Sequence, residues 1–498
     1  MKAQSFKSPT VVIIGSGISG LAAAAMLAQQ GCKVTVLERN ATVGGRARTW
    51  TQDGFTFDMG PSFYWMPDVF ERFFSRFATS ASDHYELCRL DPSYSVIFGE
   101  NDRWGLPAGR AAVAELFERE EKGAGKKLDL FLEEAAMKYR LGMQDIVYKP
   151  SLSWMEYADA RILSGLLRTS ILNSLRSHVR KNFSSARIRQ VMEFPVLFLG
   201  ATPQNTPALY SLMNHADVDL GTWYPMGGMG KVMDAMQRVA KAQGAVIRTS
   251  DAVERIIVEQ GKAIGAKSKS GVHHADVVLA TADYHHVERD LIEAPYRSYS
   301  EAYWKKRTMA PSTLLFYIGL NTRLPNVEHH TLFFDEDLDR HCADIFELRR
   351  WPEKPLFYLS CTSRTDPSTA PPGGENLVIL IPIASDSLDD EDTRERYFQI
   401  VAERMHRHLG VDIRPHIKVK RSYCVKDLEQ DHNAYRGNAY GMASTLRQTG
   451  PARPSVKSRK VRGLYFAGQL SIPGPGMPPA LISGQVAAEL IMKEKPWK

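Results

Sequence analysis

Closely spaced cysteines are missing from this sequence. Its five cysteines are far apart, and no two of them form a Cys-x-x-Cys pair. Zinc sites and disulfide frameworks need cysteines at short, regular spacings, so neither is indicated. The simplest interpretation is a reducing, cytoplasmic compartment. The cysteines are Cys32, Cys88, Cys342, Cys361 and Cys424.

Long hydrophobic runs are missing as well. Residues 9–30 carry no charge and follow two lysines, so this stretch resembles a signal peptide or a short membrane-spanning helix. However, Gly15, Gly17 and Gly20 interrupt it at positions where a membrane helix gains nothing from glycine. We therefore expect neither, and no later stretch is apolar enough to span a bilayer.

Acidic residues do not balance the basic ones, and the net charge is +7. Such a charge is compatible with an anionic partner, either nucleic acid or an acidic membrane surface. The sequence has no helix-turn-helix signature and no basic-aromatic RNA-recognition pattern, so we expect no nucleic acid partner. Internal repeats and low-complexity tracts are also absent, and 498 residues are enough for two or three domain-sized units.

The N-terminal part contains a complete dinucleotide-binding pattern. The β-branched run 11–14 predicts a buried parallel strand, which leads into a glycine-rich turn and an alanine-rich helix. A second strand, 34–37, ends at Glu38, which is placed to accept hydrogen bonds from a ribose. The glycines permit the turn, the approach of backbone to a pyrophosphate and the packing of helix on strand. The turn residues assigned to the cofactor are Gly15, Ser16, Gly17, Ile18, Ser19 and Gly20.

A second glycine-rich loop follows the second strand. It contains Gly44, Gly45, Arg46 and Arg48, and two flexible backbone positions with two guanidiniums suit a pyrophosphate. A solvated basic turn would have the same composition. The segment 57–62 comes next and reads Phe-Asp-Met-Gly-Pro-Ser.

With these segments the sequence resembles the phytoene desaturase family of FAD enzymes, within the larger amine-oxidase-like group of flavoproteins. In that group a Gly-Gly-x-Arg motif follows the acid of the dinucleotide fold, and an Asp-x-Gly-Pro segment lies beside the flavin. The resemblance covers the whole chain. It implies noncovalent FAD, bound by further residues at Arg39, Gly45, Arg46, Arg48, Gly60, Pro61, Ser62, Val253, Gly468, Gln469 and Met477.

Three later segments carry the resemblance. A strand at 251–256 is expected to contact the adenine through Val253, and a strand at 276–282 is expected to pass under the nucleotide. The strand-like run 463–469 precedes a Pro/Gly cluster and a helix from about 480 to 493. The resemblance implies that the N-terminus of this helix points at the isoalloxazine. Many relatives outside the carotenoid branch have an acid at the position of Gln469, so the glutamine favours that branch.

The resemblance implies an α/β fold of the two-dinucleotide-binding-domain flavoprotein type. A Rossmann-type FAD-binding domain would be built from 1–110, 216–290 and 436–498. A separate α+β substrate and membrane domain would contain a helical region, 111–215, and a substrate-binding part, 291–435.

The function implied is desaturation of a carotenoid precursor, first of all phytoene to lycopene-type products. The apolar polyene would be drawn from a membrane to which the protein binds peripherally, and oxygen or a quinone would accept the electrons. The alternatives are carotenoid 3,4-desaturation, carotene isomerisation and amine oxidation. A non-enzymatic lipid-binding protein, as the Rab GDP-dissociation inhibitors are on a similar fold, is a rival of another class.

Membrane binding has a candidate segment at 161–190. It contains seven basic residues and no acid, and its aliphatic residues fall on one broad helical face. A basic amphipathic helix of this kind lies in an anionic interface, but a core helix with solvated arginines would show the same pattern. The basic residues are Arg161, Arg168, Arg176, Arg180, Lys181, Arg187 and Arg189.

No catalytic dyad is visible, and the catalytic residues stay unassigned. In a desaturation the flavin accepts a hydride while a proton leaves, so the protein mainly positions the hydrocarbon and excludes water. Histidine pairs at 273/274, 285/286 and 329/330 have no metal-ligand spacing and no nucleophile beside them, and we interpret them as surface residues. Aromatic residues at 63–65 are candidates for a substrate tunnel because they adjoin the Gly-Pro-Ser segment, whereas those at 70–77 match plain core.

Overall fold

The computed structural model describes residues 8–60, 62–159 and 173–497. Its first sheet is parallel and has five strands in the order β19-β13-β1-β2-β9. The central strands are short aliphatic runs that are buried on both faces, as parallel strands usually are. The strands are β1 (Thr10–Ile14), β2 (Lys33–Leu37), β9 (Val246–Arg248), β13 (Val277–Ala280) and β19 (Leu464–Phe466).

Two helices pack in close contact beside this sheet, α1 (Ile18–Gln29) and α14 (Met477–Glu494). A Cβ atom on Gly484 would lie 2.1 Å from the carbonyl oxygen of Ser19, so only glycine permits this packing. The other α-helices are α2 (Pro67–Ser75), α3 (Arg110–Glu120), α4 (Ala124–Leu141), α5 (Leu175–Asn182), α6 (Ala186–Glu193), α7 (Leu212–Val218), α8 (Met229–Ala242), α9 (Tyr284–His286), α10 (Glu301–Lys305), α11 (Leu338–Cys342), α12 (Glu391–Leu409) and α13 (Val425–His432).

A second sheet of seven strands has the order β18-β14-β17-β16-β15-β6-β7. Its pairs are antiparallel except β15 with β6. All nine residues of β14 are buried, with α12 packed on one face and the β3–β4 hairpin on the other. The strands are β6 (Tyr94–Gly99), β7 (Asp102–Leu106), β14 (Ser312–Leu320), β15 (His330–Phe333), β16 (Phe357–Ser360), β17 (Glu375–Ile383) and β18 (Ile417–Tyr423), and the hairpin is β3 (Thr49–Gln52) with β4 (Phe55–Asp58).

The five-stranded sheet takes its strands from three separated parts of the chain. The predicted boundary at residue 110 differs from the structure, because β6 and β7 belong to the seven-stranded sheet and not to the first one. β6 pairs with β15, which lies more than 200 residues later, and local pattern does not reveal such a partner. The remaining strands are β5 (Leu87–Arg89) with β8 (Trp223–Pro225), and β10 (Val253–Glu259), β11 (Lys262–Ser268) and β12 (Gly271–His274).

The predicted basic amphipathic helix is only partly within the described residues, since 160–172 lie outside them together with Arg161 and Arg168. From residue 175 onward the segment is not one helix but two, α5 and α6. Its apolar side chains face the protein core, and Leu175, Val179 and Ile188 are fully buried. In the described part, the core interpretation is therefore the right one.

The arginines of α5 are occupied by acids of the protein itself. Arg176 lies 3.5 Å from the buried carboxylate of Glu193, and Arg180 lies 3.8 Å from it. Arg176 also forms an ion pair with Asp339, and Arg180 lies 3.7 Å from the same carboxylate. These acids come from α6 and α11, so the segment's lack of acids did not indicate unpaired arginines. No helix of the described residues has the length and apolar character needed to cross a bilayer.

Candidate functional site

A cavity of about 550 Å³ lies between the two large sheets. It opens at the carboxyl ends of β1, β2, β13 and β19, where ligands bind in open parallel sheets. Residues of both sheets line it, so the site needs the folded contact between them. The predicted residues among its lining are Gly15, Gly17, Ile18, Ser19, Glu38, Arg39, Gly45, Arg46, Gly60, Ser62, Val253, Gly468, Gln469 and Met477.

Four predicted residues are not part of this lining. Ser16 lies behind Glu38, and Gly20 packs α1 against the turn, since a Cβ there would lie 2.1 Å from the oxygen of Gly15. Arg48 forms an ion pair with Asp431. Pro61 lies outside the described residues.

The N-terminus of α1 is open toward the cavity. Gly17 is its N-cap, no side chain caps the helix, and the first turn carries no acid. A Cβ atom on Gly17 would meet no protein atom within 4 Å, so the space beside this backbone is free for a ligand. Free N–H groups and the positive end of the helix dipole favour an anion here.

Glu38 is buried at the end of β2, and its carboxylate is held in place by three hydrogen bonds. Oε2 accepts from the backbone N–H and the hydroxyl of Ser16, each at 2.8 Å, and Oε1 accepts from the N–H of Asn40 at 2.8 Å. Carboxylate oxygens have further acceptor capacity, and Glu38 lines the cavity. The arrangement presents a fixed acceptor to a ribose hydroxyl.

Arg46 places a hydrogen-bond donor without a protein acceptor in the same region of the cavity. Its Nε is buried without a hydrogen-bond partner, and its Nη2 only approaches the carbonyl oxygen of Asn438, at 3.4 Å. Burial lowers the pKa of this guanidinium, and the nearby Asp283 opposes the shift. The loop depends on Gly60, because a Cβ there would lie 2.3 Å from the carbonyl oxygen of Arg46.

The C-terminal loop closes the cavity on the side of α14. Gly468 has a φ of 117°, and its N–H donates to the hydroxyl of Ser483 at 2.9 Å. The side-chain amide of Gln469 donates to Asn438 Oδ1 at 3.1 Å, which leaves its carbonyl oxygen as the free acceptor of this side chain. α14 begins at Met477, earlier than predicted, and prolines follow Met477 at the next two positions. Prolines have no N–H, so this helix acts on a ligand mainly through its dipole.

The other half of the cavity is apolar and aromatic, and we call it the apolar half. Phe63 and Trp65 belong to the predicted tunnel cluster, whereas Phe70, Phe73 and Phe74 are plain core, as the sequence indicated. Sequence reasoning missed the remaining lining, because it comes from α7, from strands of the seven-stranded sheet and from a loop without a motif. The apolar half is lined by Phe63, Trp65, Met66, Met213, Thr313, Leu315, Tyr358, Leu380, Ala439 and Tyr440.

The interpretation of the histidine pairs as surface residues was wrong for three of the six. His285, His329 and His330 are buried, the last completely. His330 stacks on Phe63 with ring centroids 4.0 Å apart. Burial lowers the pKa of His329 to about 3 and that of His330 well below its usual range, so both are neutral at physiological pH. For His330, the apolar run 332–334 close behind it is the local signal of a buried strand.

Asp58 of the Asp-x-Gly-Pro segment has a structural role. Its carboxylate accepts from the N–H of Met229 at 2.9 Å and so caps α8. Burial raises the pKa of this group to about 7. The capping ties β4 to α8 and holds the loop that contains Gly60 and Ser62 at the cavity wall.

These residues fit FAD. The polar half offers an open helix N-terminus, an unpartnered guanidinium nitrogen and a fixed carboxylate, which suit a pyrophosphate and a ribose. The apolar half begins beside the loop that would hold the isoalloxazine. Among the described residues, no group of three or more His, Cys, Asp or Glu side chains could hold a metal ion.

The sequence and the fold of this chain both resemble those of known proteins. The model of the family described as flavin containing amine oxidoreductase matches residues 18–492. The chain is 38% identical to a carotenoid 3,4-desaturase of Haloarcula japonica, over 97% of this chain and 98% of the relative. It is 31% identical to a zeta-carotene-forming phytoene desaturase of Myxococcus xanthus, over 97% of this chain and 93% of that relative. Among solved structures, an oxidoreductase from Methanosarcina mazei shares the fold with a TM-score of 0.64 and 17% identity, over 96% of this chain and all of that one.

Proposed function

Because this chain belongs to the flavin-containing amine oxidoreductase family, and within it to the carotenoid desaturases, we propose that it desaturates a carotenoid precursor with FAD as cofactor. The observation that carries the proposal is the continuity of the dinucleotide site with the apolar half of the cavity. A hydrocarbon in the apolar half would lie next to the flavin ring. A substrate with an ammonium group would need a carboxylate to pair with it. None is present among the described residues of the apolar half.

When bound, FAD would supply the redox chemistry, because its flavin can accept a hydride from a carbon next to the polyene. The residues of the chain have simpler tasks. Phe63, Trp65 and Met66 keep water from the reacting carbons, and the strands of the seven-stranded sheet orient the chain of the substrate. Exclusion of water protects an electron-poor hydrocarbon from capture by a solvent nucleophile.

The bond that is oxidised has two candidates. Phytoene, converted to lycopene-type products, is the first and follows from the sequence resemblance. The 3,4-bond of a carotenoid is the second, and it is favoured by the 38% identity to the Haloarcula japonica protein over nearly both full lengths. The wall formed by Leu315, Leu380 and Tyr440 would decide how far a carotenoid end group enters.

The test offers phytoene and lycopene separately to the purified FAD-loaded protein in anionic liposomes. Added double bonds lengthen the conjugated system, so a product of either reaction absorbs at longer wavelength than its substrate, and chromatography identifies which one formed. If neither carotenoid is converted and the flavin keeps its oxidised spectrum without oxygen, carotenoid desaturation is wrong for this chain.

We also propose peripheral binding to a membrane, because a carotenoid resides in lipid. The support is an exposed apolar turn in which Trp154 is 64% and Met155 83% exposed, next to the half-exposed Leu152. Tryptophan and aliphatic side chains of this kind insert at the headgroup boundary, and the net charge of +7 favours an anionic surface. Oxygen or a membrane quinone would then reoxidise the flavin, and comparison of turnover in air with anaerobic turnover on an added quinone tests the two.

A further inference from the structure

Desaturation removes a proton as well as a hydride, and the apolar half of the cavity contains few groups that could receive a proton. Tyr358 is one of them, and its hydroxyl lies 2.7 Å from Nδ1 of His330. The register of β15 with β16 creates this contact. His330 pairs with Ser360, so Tyr358, two residues earlier, lies diagonally across on the same face of the sheet.

From this geometry we propose that Tyr358 and His330 together accept the proton that the substrate loses. The proposal rests on the desaturation proposed above. The C–H bond of the second carbon breaks, and its electron pair becomes the new π bond while the first carbon gives its hydride to FAD. The proton goes to the oxygen of Tyr358 as the hydroxyl proton of Tyr358 moves to Nδ1 of His330. Two electrons leave the substrate and FAD takes both.

The local environment suits transient acceptance of a proton. His330 is fully buried and its Nε2 has no hydrogen-bond partner. In the proposed resting state Nε2 carries the hydrogen, and Nδ1 accepts from the Tyr358 hydroxyl. Burial lowers the pKa of His330 and raises that of Tyr358, so both are neutral at rest. A carbon next to a cationic polyene is a far stronger acid than an imidazolium, so even this weak base suffices, and its low pKa favours onward release.

From His330 the proton would pass toward solvent by way of the neighbouring His329. The rings of His329 and His330 are 4.5 Å apart, and Nε2 of His329 also lacks a partner. Nδ1 of His329 lies 2.7 Å from the hydroxyl of Thr365, which is partly exposed. Besides Tyr358, the titratable groups close to this pair of rings are Tyr224 and Asp366, and both are buried.

The test is anaerobic single-turnover reduction of bound flavin by a carotenoid that the parent protein desaturates. Tyr358→Phe keeps the ring, and His330→Gln keeps a hydrogen-bonding side chain that cannot take a proton. We expect both to reduce flavin roughly 10²-fold more slowly, the usual contribution of a positioned acid or base. His341→Gln is the matched control, because His341 is also buried but its Nδ1 accepts from the N–H of Leu356, which does not line the cavity, instead of contacting Tyr358 as Nδ1 of His330 does.

Isotopic labelling separates a proton acceptor from a packing residue. Substrate deuterated at the carbon that loses the proton should show a larger isotope effect in Tyr358→Phe and His330→Gln than in the parent, at unchanged FAD content and substrate affinity. Reduction at the parent rate in Tyr358→Phe, or a loss with no change in this isotope effect, overturns the proposal. If His330→Gln does not fold, the rate of flavin reduction and the isotope effect of Tyr358→Phe are sufficient to test the proposal. Failure of the desaturation itself looks different, since the parent then reduces no flavin.

Discussion

The carboxylate of Glu38 accepts two hydrogen bonds from Ser16, one from its backbone N–H and one from its hydroxyl, both 2.8 Å long. These bonds join the end of β2 to the glycine-rich turn after β1. They orient the acid toward the cavity before any cofactor arrives, and they reduce the freedom that binding would otherwise have to remove.

Replacement of Glu38 by Ala should therefore weaken FAD binding roughly 10- to 100-fold, since a hydrogen bond to a charged group contributes about 1.5–3 kcal/mol. Titration of the apoprotein with FAD, followed by quenching of flavin fluorescence, measures the change. Glu100→Ala removes an exposed acid from a turn and serves as the control. Equal affinities of the two variants would show that Glu38 does not contact the ribose.

Gly17→Val should abolish measurable FAD binding while leaving the fold intact. A Cβ atom at this position would meet no protein atom within 4 Å, so the valine side chain would extend into the space beside the N-terminus of α1 that the pyrophosphate would occupy. Gly99→Val is the control, because the space around Gly99 is equally open but lies away from the cavity. Flavin content after purification and circular dichroism are the two measurements. A yellow Gly17→Val protein would refute the assignment of this turn.

Trp154→Ser combined with Met155→Ser should reduce sedimentation with anionic liposomes by at least about tenfold. The two side chains are 64% and 83% exposed, and burial of an apolar side chain in the interface contributes about 1.5–3 kcal/mol. Leu348→Ser with Leu388→Ser removes comparable exposed apolar surface elsewhere and should leave binding unchanged. If the second pair loses binding and the first does not, the membrane surface is on the other side of the protein.

Neutralising Arg176 and Arg180 together with Gln should destabilise the protein more than it affects liposome binding. Both guanidiniums are within 4 Å of Glu193, a residue that is 3% exposed and would be left with no guanidinium at that distance. The expected loss in free energy of unfolding is about 1–3 kcal/mol, the cost of an unsatisfied buried acceptor. Urea denaturation measures it, and Arg119→Gln on α3 is a control for the loss of a positive charge. If stability is unchanged and liposome binding is lost, these arginines contact the membrane and do not stabilise the core.

The sequence by itself determined the strand-turn-helix-strand unit near the N-terminus, because this unit is built from local features. Gly15, Gly17 and Glu38 lie within one strand-turn-helix-strand unit, where chain geometry alone places them together. Arg48 belongs to the second glycine-rich loop, but local sequence does not reveal its partner Asp431, which lies more than 300 residues later.

Only the tertiary structure decided the substrate side of the cavity and the surroundings of α5. His330 reaches Tyr358 through the register of two strands, and Arg176 meets Glu193 and Asp339 from other helices. Helical or strand periodicity specifies that a segment has an apolar face, but it does not specify what covers that face. That choice depends on contacts between residues far apart in the chain, whose pairing is set by the packing of the whole fold.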